Sequence, residues 1–413
     1  MKPRNLLVVG LLMILSGWVG VWIGERKLEV SYRNWKPAVV YNKVVPGTSS
    51  ASDVDFSLFW TAWDKVSQNY VDKTALDSKK MLDGAISGMV SALGDPYTAY
   101  FPIQQNKDAK EDLGGAFSGV GIQLGYKEGT LAVMSPIDGS PAKNAGVRSA
   151  DLILKITDVK NKVEKMTDGI TIPEAVKLIR GEKGTKVTLT LAREGVDKPF
   201  EVELVRDTIV VKSADVEFKD KDGKKIAWLK LTRFGDRTEE EWIAAVDKIV
   251  GTPVNELAGI VLDVRDNPGG YLEGSVWIAG EFLTGGKTVV TQRYGDGSQI
   301  DNKVNRNGRL LKIPVVVLVN KGSASAAEIL AGALQDHRRA KVVGEVTFGK
   351  GSVQQPEDFT DGSGIHITVA KWLRPNGEWI DKKGITPDVI EKYNEEETDE
   401  TKDNQLEKAM EEL

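Results

Sequence analysis

Ile313-Pro-Val-Val-Val-Leu-Val-Asn320, followed directly by Lys321-Gly-Ser-Ala-Ser-Ala-Ala-Glu328-Ile-Leu-Ala331, is the stretch on which the fold turns. The first run is continuous, apolar and rich in β-branched residues, as a strand buried on both faces requires. The second turns to good helix formers with no breaker before Gly332. Ser325 therefore falls where a buried strand passes into a helix. Backbone N–H groups at a helix N-terminus lack partners and carry partial positive charge, so an oxyanion formed beside Ser325 can be stabilised there.

Ser325-Ala-Ala-Glu328 also fits the S-x-x-E capping box, which satisfies the first helical donors and by itself needs no chemistry. A second stretch, Val346-Thr-Phe-Gly-Lys350-Gly-Ser-Val-Gln354, argues for more. Gly349 and Gly351 oppose a helix and let other backbone approach closely, and their neighbours suit an extended segment. Side chains alternate along an extended chain, so Lys350 and Gln354 share a face. A lysine and an amide can then point together at the serine.

The blocks N-K-G-S-A-S-A-A-E (Asn320 to Glu328) and T-F-G-K-G-S-V-Q (Thr347 to Gln354) resemble the serine–lysine C-terminal processing peptidases, or tail-specific proteases. Lys350 follows Ser325 by 25 residues, the family's spacing, which selects Ser325 over Ser323. The resemblance implies Ser325 as nucleophile, Lys350 as general base and Gln354 as the residue that orients the lysine. It departs at Ala327, where many relatives carry serine, and at Ser352, often threonine; neither carries the chemistry. Upstream, Gly259-Ile-Val-Leu-Asp-Val-Arg265 reads as another buried strand, ending in Asp266-Asn-Pro-Gly-Gly270. Asn-Pro-Gly-Gly by itself makes a tight turn. In the family this block completes the oxyanion hole, a role carried to the Gly270 N–H, with Gly269 as fallback and the Ala326 N–H as the other donor.

Residues 113–206 have a different texture of short strands and turns. Phe117-Ser-Gly119-Val120-Gly121-Ile122-Gln-Leu124 leads into Thr130 to Met134, then Ser140 to Gly146, then Asp151 to Ile156, followed by a helix over Ile172 to Ile179 and a closing strand over Lys186 to Arg193. The order resembles the circularly permuted PDZ domain that these peptidases carry. Gly119, Val120, Gly121 and Ile122 would be its carboxylate loop, where consecutive N–H groups converge on a peptide's C-terminus while a strand edge pairs with the peptide. A dinucleotide fingerprint is excluded, because its third glycine would fall at Leu124 and a helix would have to follow. Arg180, at the end of the helix, can pair with a carboxylate; an ordinary surface arginine is the plainer reading.

With 413 residues and 41% hydrophobic content, the chain holds at least two domains. It has no cysteine and two histidines, which excludes disulfides and argues against a zinc site; neither a metal nor a cofactor is expected. Leu6 to Gly24 is a 19-residue uncharged run preceded by Lys2 and Arg4, long enough to cross a bilayer. A cleaved signal peptide is the rival reading. The length of the run and the absence of an A-x-A-like site before Glu25-Arg-Lys27 favour an uncleaved anchor, with the catalytic part on the extracytoplasmic side.

Residues 25–55 read as a linker and 56–112 as a helical segment. Phe56, Phe59, Trp60, Trp63, Val66 and Tyr70 form one apolar stripe at helical spacing, and Leu82, Ala85, Ile86, Met89, Val90 and Leu93 a second; both are expected in the core. Gly94-Asp-Pro-Tyr-Thr98 follows as a turn that also resembles a family signature. Residues 391–413 carry ten acidic and three basic side chains in a chain of net charge −5, so the acidity belongs to a solvated tail and no basic field for nucleic acid exists. A short helix fits near Gln405 to Met410.

The expected architecture is an α/β protease core (207–390) of the crotonase-like or ClpP-like kind. It is assembled around an inserted β-rich PDZ domain (113–206), with an N-terminal helical segment, a single N-terminal membrane-spanning helix (1–24) and the acidic tail (391–413). The expected function is a serine endopeptidase that recognises C-terminal tails of envelope proteins through its PDZ domain and cleaves through an acyl-enzyme. Its partners are therefore proteins or peptides with accessible C-termini, and the membrane. A Ser-His-Asp hydrolase is weaker, since His337 lies twelve residues beyond Ser325 in or after the same helix and His366 sits on an apolar strand. A catalytically inactive PDZ adaptor is the alternative of another class, opposed by the joint presence of Ser325, Lys350 and Gln354.

Overall fold

The computed structural model describes residues 28–33, 36–41, 55–137, 139–394 and 402–413. The expected membrane-spanning segment and most of the linker lie outside them; among the described residues no helix is long and apolar enough to cross a membrane. The chain divides into two compact units, Met1–Ser78 and Lys79–Leu413. In the first, β1 (Leu28–Arg33) and β2 (Lys36–Tyr41) form an antiparallel hairpin within the expected linker. Helix α1 (Ser57–Asn69) starts where both oxygens of Asp55 accept from Ser57.

Among the described residues the apolar stripe of α1 forms no core. None of its residues is buried, and Phe56, Trp60 and Tyr70 are about half exposed. Phe59 rests its ring against Trp60 and Trp63 instead. Periodicity dictates that a helix has an apolar face; whether the same chain supplies a cover is a separate matter. The second stripe behaves alike in α2 (Ser78–Ser91), where Val90 is buried while Leu82, Met89 and nearby Leu93 face solvent.

Beyond α2 come β3 (Ala99–Phe101) and α3 (Ile103–Leu113), then the β-rich insertion. Its first strand, β4 (Ala116–Gly119), is followed by β5 (Ile122–Lys127), β6 (Thr130–Pro136), the short α4 (Pro141–Asn144), β7 (Leu152–Asp158) and β8 (Val163–Met166). Helix α5 (Ile172–Ile179), β9 (Lys186–Ala192), β10 (Phe200–Val205) and β11 (Asp207–Val210) complete it. β4 and β11 pair antiparallel, Gly119 opposite Asp207, so the chain enters and leaves through a closed neck. Inside, an antiparallel sheet of order β10-β9-β7-β6-β5 and helix α5 enclose a core of their own, including Leu131, Ile153, Ile156, Leu189 and Ile179. Arg206 seals the neck end, donating to Asp158 (2.8 Å) and to the Ile179 carbonyl (2.8 Å) from a fully buried position.

The remainder builds two sheets. β12 (Ala214–Lys221), β13 (Lys224–Leu231), α6 (Thr238–Val250), β14 (Leu257–Asp263) and α7 (Leu272–Phe282) precede the hairpin of β15 (Thr288–Tyr294) and β16 (Gln299–Lys303). β17 (Val315–Val319), α8 (Ala326–Asp336), β18 (Lys341–Gly344), β19 (Ser352–Asp358), β20 (Gly364–Leu373), β21 (Val389–Ile390) and α9 (Asn404–Glu411) follow. The main sheet runs β12-β13-β14-β17-β18-β21 and is parallel from β13 onward. The expectation that β17 is buried on both faces holds: Val315, Val317 and Val319 face α6, α7 and α8, while Val316 and Leu318 face the other side. The second sheet, β16-β15-β20-β19 with β3 on β20, is antiparallel and carries the segment after Lys350.

What covers the far face of the main sheet corrects the solvated-tail expectation. Leu406 and Ala409 of α9 are buried against Ile226, Val261, Val316 and Val343, and Gln405 is buried beside them. Asp403 caps the helix through the Leu406 N–H (2.9 Å) and pairs with Arg265 (2.7 Å), which also holds Asp263. Charge counting cannot detect this, because Leu406 and Ala409, with Met410 and Leu413 packed beside them, are spaced within an acidic background. Leu406→Ala should therefore cost about 2–3 kcal/mol, within the range for large-to-small core changes. Urea unfolding measures it; a loss under about half a kcal/mol would show that α9 is undocked in solution.

Candidate active site

β14 and β17 are neighbours in a parallel sheet, so their C-terminal ends lie side by side. The turn after each carries one half of the expected machinery. After β17, Ser323 is fully buried: its hydroxyl donates to the Val264 carbonyl (2.7 Å) and accepts the Asn320 N–H (3.0 Å). That spends Ser323 on structure. Ser325, two residues on, is half-buried and has φ 53° and ψ −115°, a left-handed backbone that disfavours any side chain. Strain of this kind persists only where the surroundings impose it. Asn320 bridges to Asp266, and the Ala324 N–H donates to the Asn267 carbonyl (2.9 Å).

The turn after β14 is held by Asn267, fully buried, which donates to the Leu231 carbonyl (2.7 Å) and accepts the Gly269 N–H (2.8 Å). Gly269 (φ 101°) and Gly270 (φ 135°) occupy backbone that L-residues avoid. A Cβ on Gly269 would lie 2.8 Å from Ser325 Cβ and 3.0 Å from the Ala326 nitrogen; one on Gly270 would lie 2.0 Å from the Phe234 carbonyl oxygen. The two turns are thus in backbone contact. Phe234 exchanges hydrogen bonds with the Gly269 carbonyl and the Tyr271 N–H, which leaves the Gly270 N–H with no backbone acceptor among the described residues, as is the Ala326 N–H.

Lys350 comes to this place through Glu328. The carboxylate is fully buried in α8 and accepts four hydrogen bonds: Ser325 N–H (2.8 Å), Lys350 N–H (2.9 Å), Gly349 N–H (2.7 Å) and the Thr347 hydroxyl (2.5 Å). Burial pushes the Glu328 carboxyl above its ordinary value, and those bonds pull the other way. The sequence flagged Glu328 as a helix cap, and the Ser325 N–H bond is half of that cap. Its role in fastening the lysine segment was not visible, because the three other donors lie 19 to 22 residues away.

The Lys350 amine is held below its ordinary value by burial, opposed by the Asp95 and Glu328 carboxylates. No hydrogen bond joins its Nζ to Ser325 Oγ among the described residues. Gln354, half-buried on β19, directs its amide nitrogen to the hydroxyls of Ser352 (2.9 Å) and Thr368 (3.0 Å), not to the lysine. His337 ends α8 with Nε2 2.7 Å from the Thr288 carbonyl oxygen, and His366 lies against the Phe101 ring. No hydrogen bond joins either ring to Ser325 among the described residues. Among the described residues no group of three acidic or histidine side chains could hold a metal.

In the insertion, Gly119 belongs to β4, Val120 is buried, Gly121 has φ 75°, and Ile122 opens β5. Ser140 closes on this turn, its hydroxyl donating to the Gly121 carbonyl (3.1 Å). The N–H groups of Val120 and Gly121 have no backbone acceptor among the described residues. Arg180 is engaged elsewhere, 3.6 Å from Asp112 and over the Phe117 ring.

Residues 225–390 match the family described as Peptidase family S41, and residues 16–104 match the Activating protease CtpB N-terminal domain. The carboxy-terminal processing protease CtpA of Bacillus subtilis is 40% identical over 84% of this chain and 72% of its own length. CtpB of the same organism is 35% identical over 94% of this chain and 78% of its own. Among solved structures, a photosystem II D1 C-terminal processing protease superposes with a TM-score of 0.50 at 28% identity, over 81% of this chain and 92% of that one. The chain belongs to the C-terminal processing peptidases of family S41 and is a serine-type protease with their mixed α/β fold.

Glu328→Gln places an amide nitrogen against backbone donors, and each lost bond to a charged acceptor is worth about 1.5–3 kcal/mol. The variant should fold by circular dichroism yet lose at least about tenfold in kcat on an unfolded protein substrate. Wild-type turnover in a folded variant would show the clamp to be dispensable.

Proposed function

We propose that this member of the family is a serine–lysine endopeptidase that takes hold of protein C-terminal tails and cleaves through an acyl-enzyme. Ser325 Oγ attacks the scissile carbonyl carbon as its proton passes to Lys350 Nζ. The oxyanion so formed accepts from the N–H groups of Gly270 and Ala326, and Gln354 orients the amine as it turns to the serine. Collapse of the tetrahedral species breaks the C–N bond, Lys350 returns the proton to the leaving amine, and water then hydrolyses the ester. The observation that carries this reading is the shared fastening of the Ser325 and Lys350 backbones to the buried Glu328 carboxylate, beside two N–H groups without backbone acceptors. Such donors, fixed before the reaction, are the largest single source of stabilisation in acyl transfer.

In this reading residues 113–206 are a PDZ domain. β5 is an edge strand next to α5, which suits strand addition by a peptide, and the N–H groups of Val120 and Gly121, without backbone acceptors among the described residues, suit its carboxylate. Residues 207–390 are a crotonase-like or ClpP-like core, 56–112 a helical segment, and 6–24 an anchor that leaves the enzyme on the extracytoplasmic face, acting on envelope proteins.

A lysine at its unperturbed value of about 10.4 is almost wholly protonated at pH 7, and burial lowers the Lys350 amine from that value by disfavouring its charged form. The base works as the neutral amine, so kcat/KM should rise with pH through a limb below the ordinary lysine value. Arginine never deprotonates in such a site. Lys350→Arg should fold and fall to about the turnover of Ser325→Ala; retention of more than about a tenth of wild-type kcat would overturn the lysine base.

Tail capture has its own check. Amidating the C-terminus of a peptide substrate removes a charge-assisted contact of about 1.5–3 kcal/mol. Its kcat/KM should drop about tenfold or more against the free acid. Equal values for the two peptides would refute capture through the carboxylate while leaving the protease intact.

A further inference from the structure

The turn Asp95–Thr98, between α2 and β3, has no part in the scheme so far, yet it forms one wall of the lysine's surroundings. Asp95 accepts the Tyr97 N–H (3.0 Å) and the Thr98 hydroxyl (2.6 Å), and Thr98 Oγ1 accepts the Thr368 N–H (3.0 Å). β3 then continues in register along β20, Ala99 opposite His366. Thr368 also receives the Gln354 amide through its hydroxyl (3.0 Å). The turn is therefore pinned to the same strand residue as Gln354. From it the half-buried Tyr97 presents its ring to Lys350, with Nζ 5.1 Å from the ring centroid.

That ring meets the amine where no acceptor does. Lys350 Nζ has neither an ion pair nor a hydrogen bond among the described residues, although two carboxylates are close enough to act on it electrostatically. Both are engaged: Asp95 by Tyr97 and Thr98, Glu328 by its four donors. The other titratable groups nearby are His366, tilted against the Phe101 ring, and Asp381, which acts on Tyr97 and receives the Gly351 N–H. A direct carboxylate partner would keep the lysine charged and useless as a base. An aromatic face attracts an ammonium more gently: at a partly exposed site the contact is worth about a two- to fivefold change in an equilibrium constant.

We propose that Tyr97 is a positioning residue of the proteolytic reaction, whose ring face receives the Lys350 ammonium formed as the Ser325 O–H bond breaks and the new N–H bond forms. The ring steadies the charged amine between deprotonation of the serine and return of the proton to the leaving group. It does so without fixing the lysine in its charged state at rest. The inference rests on Lys350 being the base.

The test keeps the shape of residue 97 and changes only the electrostatics of its face. Tyr97→Phe serves as reference, and mono-, di- and trifluorophenylalanine at the same position weaken the attraction for a cation stepwise. Each fluorine disfavours the ammonium, so the acid limb of kcat/KM should move to lower pH, by about half a unit from phenylalanine to the trifluoro side chain. A limb belonging to His366 would stay in place, since its ring contact is Phe101. An acid limb that does not move across the series, in variants with the same melting temperature, overturns the role of Tyr97. Lys350→Arg measured alongside separates the two failures: if it stays active, the base itself was misassigned, whereas an inactive Lys350→Arg with an unmoved limb refutes the ring alone.

Discussion

One buried carboxylate holds the candidate site together. Glu328 is buried and, among the described residues, has no cation bonded to it; four donors compensate its charge, and three of them are backbone N–H groups. A buried charge without such donors would be too costly to keep, and the donors without the charge would be left unsatisfied. Each side enforces the other. Because one oxygen serves both the Ser325 and Lys350 N–H groups, the spacing of these two residues is set through the main chain, with no hydrogen bond required between their side chains.

The parallel arrangement of β14 and β17 supplies the rest of the geometry. Side by side and pointing the same way, they deliver two turns to one edge of the sheet, the usual location of sites in such folds. The rungs between the turns are short: Ser323 to Val264, which is buried, Ala324 to Asn267, and Asn320 to Asp266 at the exposed end. They press Gly269 against the Ser325 elbow so tightly that neither a Cβ on the glycine nor a relaxed backbone at the serine fits. The long β-rich insertion disturbs none of this. Its two ends pair as β4 and β11, so the core sees a closed neck and the insertion keeps a separate apolar core.

Much of this was legible in the amino-acid sequence because it is written locally. Apolar runs give the buried strands, glycines at 269, 270, 349 and 351 mark places where backbone passes close, and the change of texture at residue 113 marks the insertion. Ser325 stands at the strand-to-helix junction that the composition on either side defines. These are properties of neighbours along the chain, set by sterics and by the period of apolar residues.

Contacts between distant segments were decided only by the tertiary structure. Spacing to Lys350 favours Ser325 over Ser323, but the physical difference between them is tertiary: the Val264 carbonyl, 59 residues from Ser323, takes that hydroxyl into the fold. The apolar stripes of α1 and α2 have the period of core helices yet stay largely uncovered, while α9, set in the most acidic part of the chain, is buried through Leu406 and Ala409. The turn at Asp95–Thr98 lies more than 250 residues before Lys350, and folding alone brings the Tyr97 ring to the lysine. Local pattern determines what each segment can be. Which surface covers it depends on the free energy of burial summed over partners from the whole chain, and that sum has no signature in any one stretch.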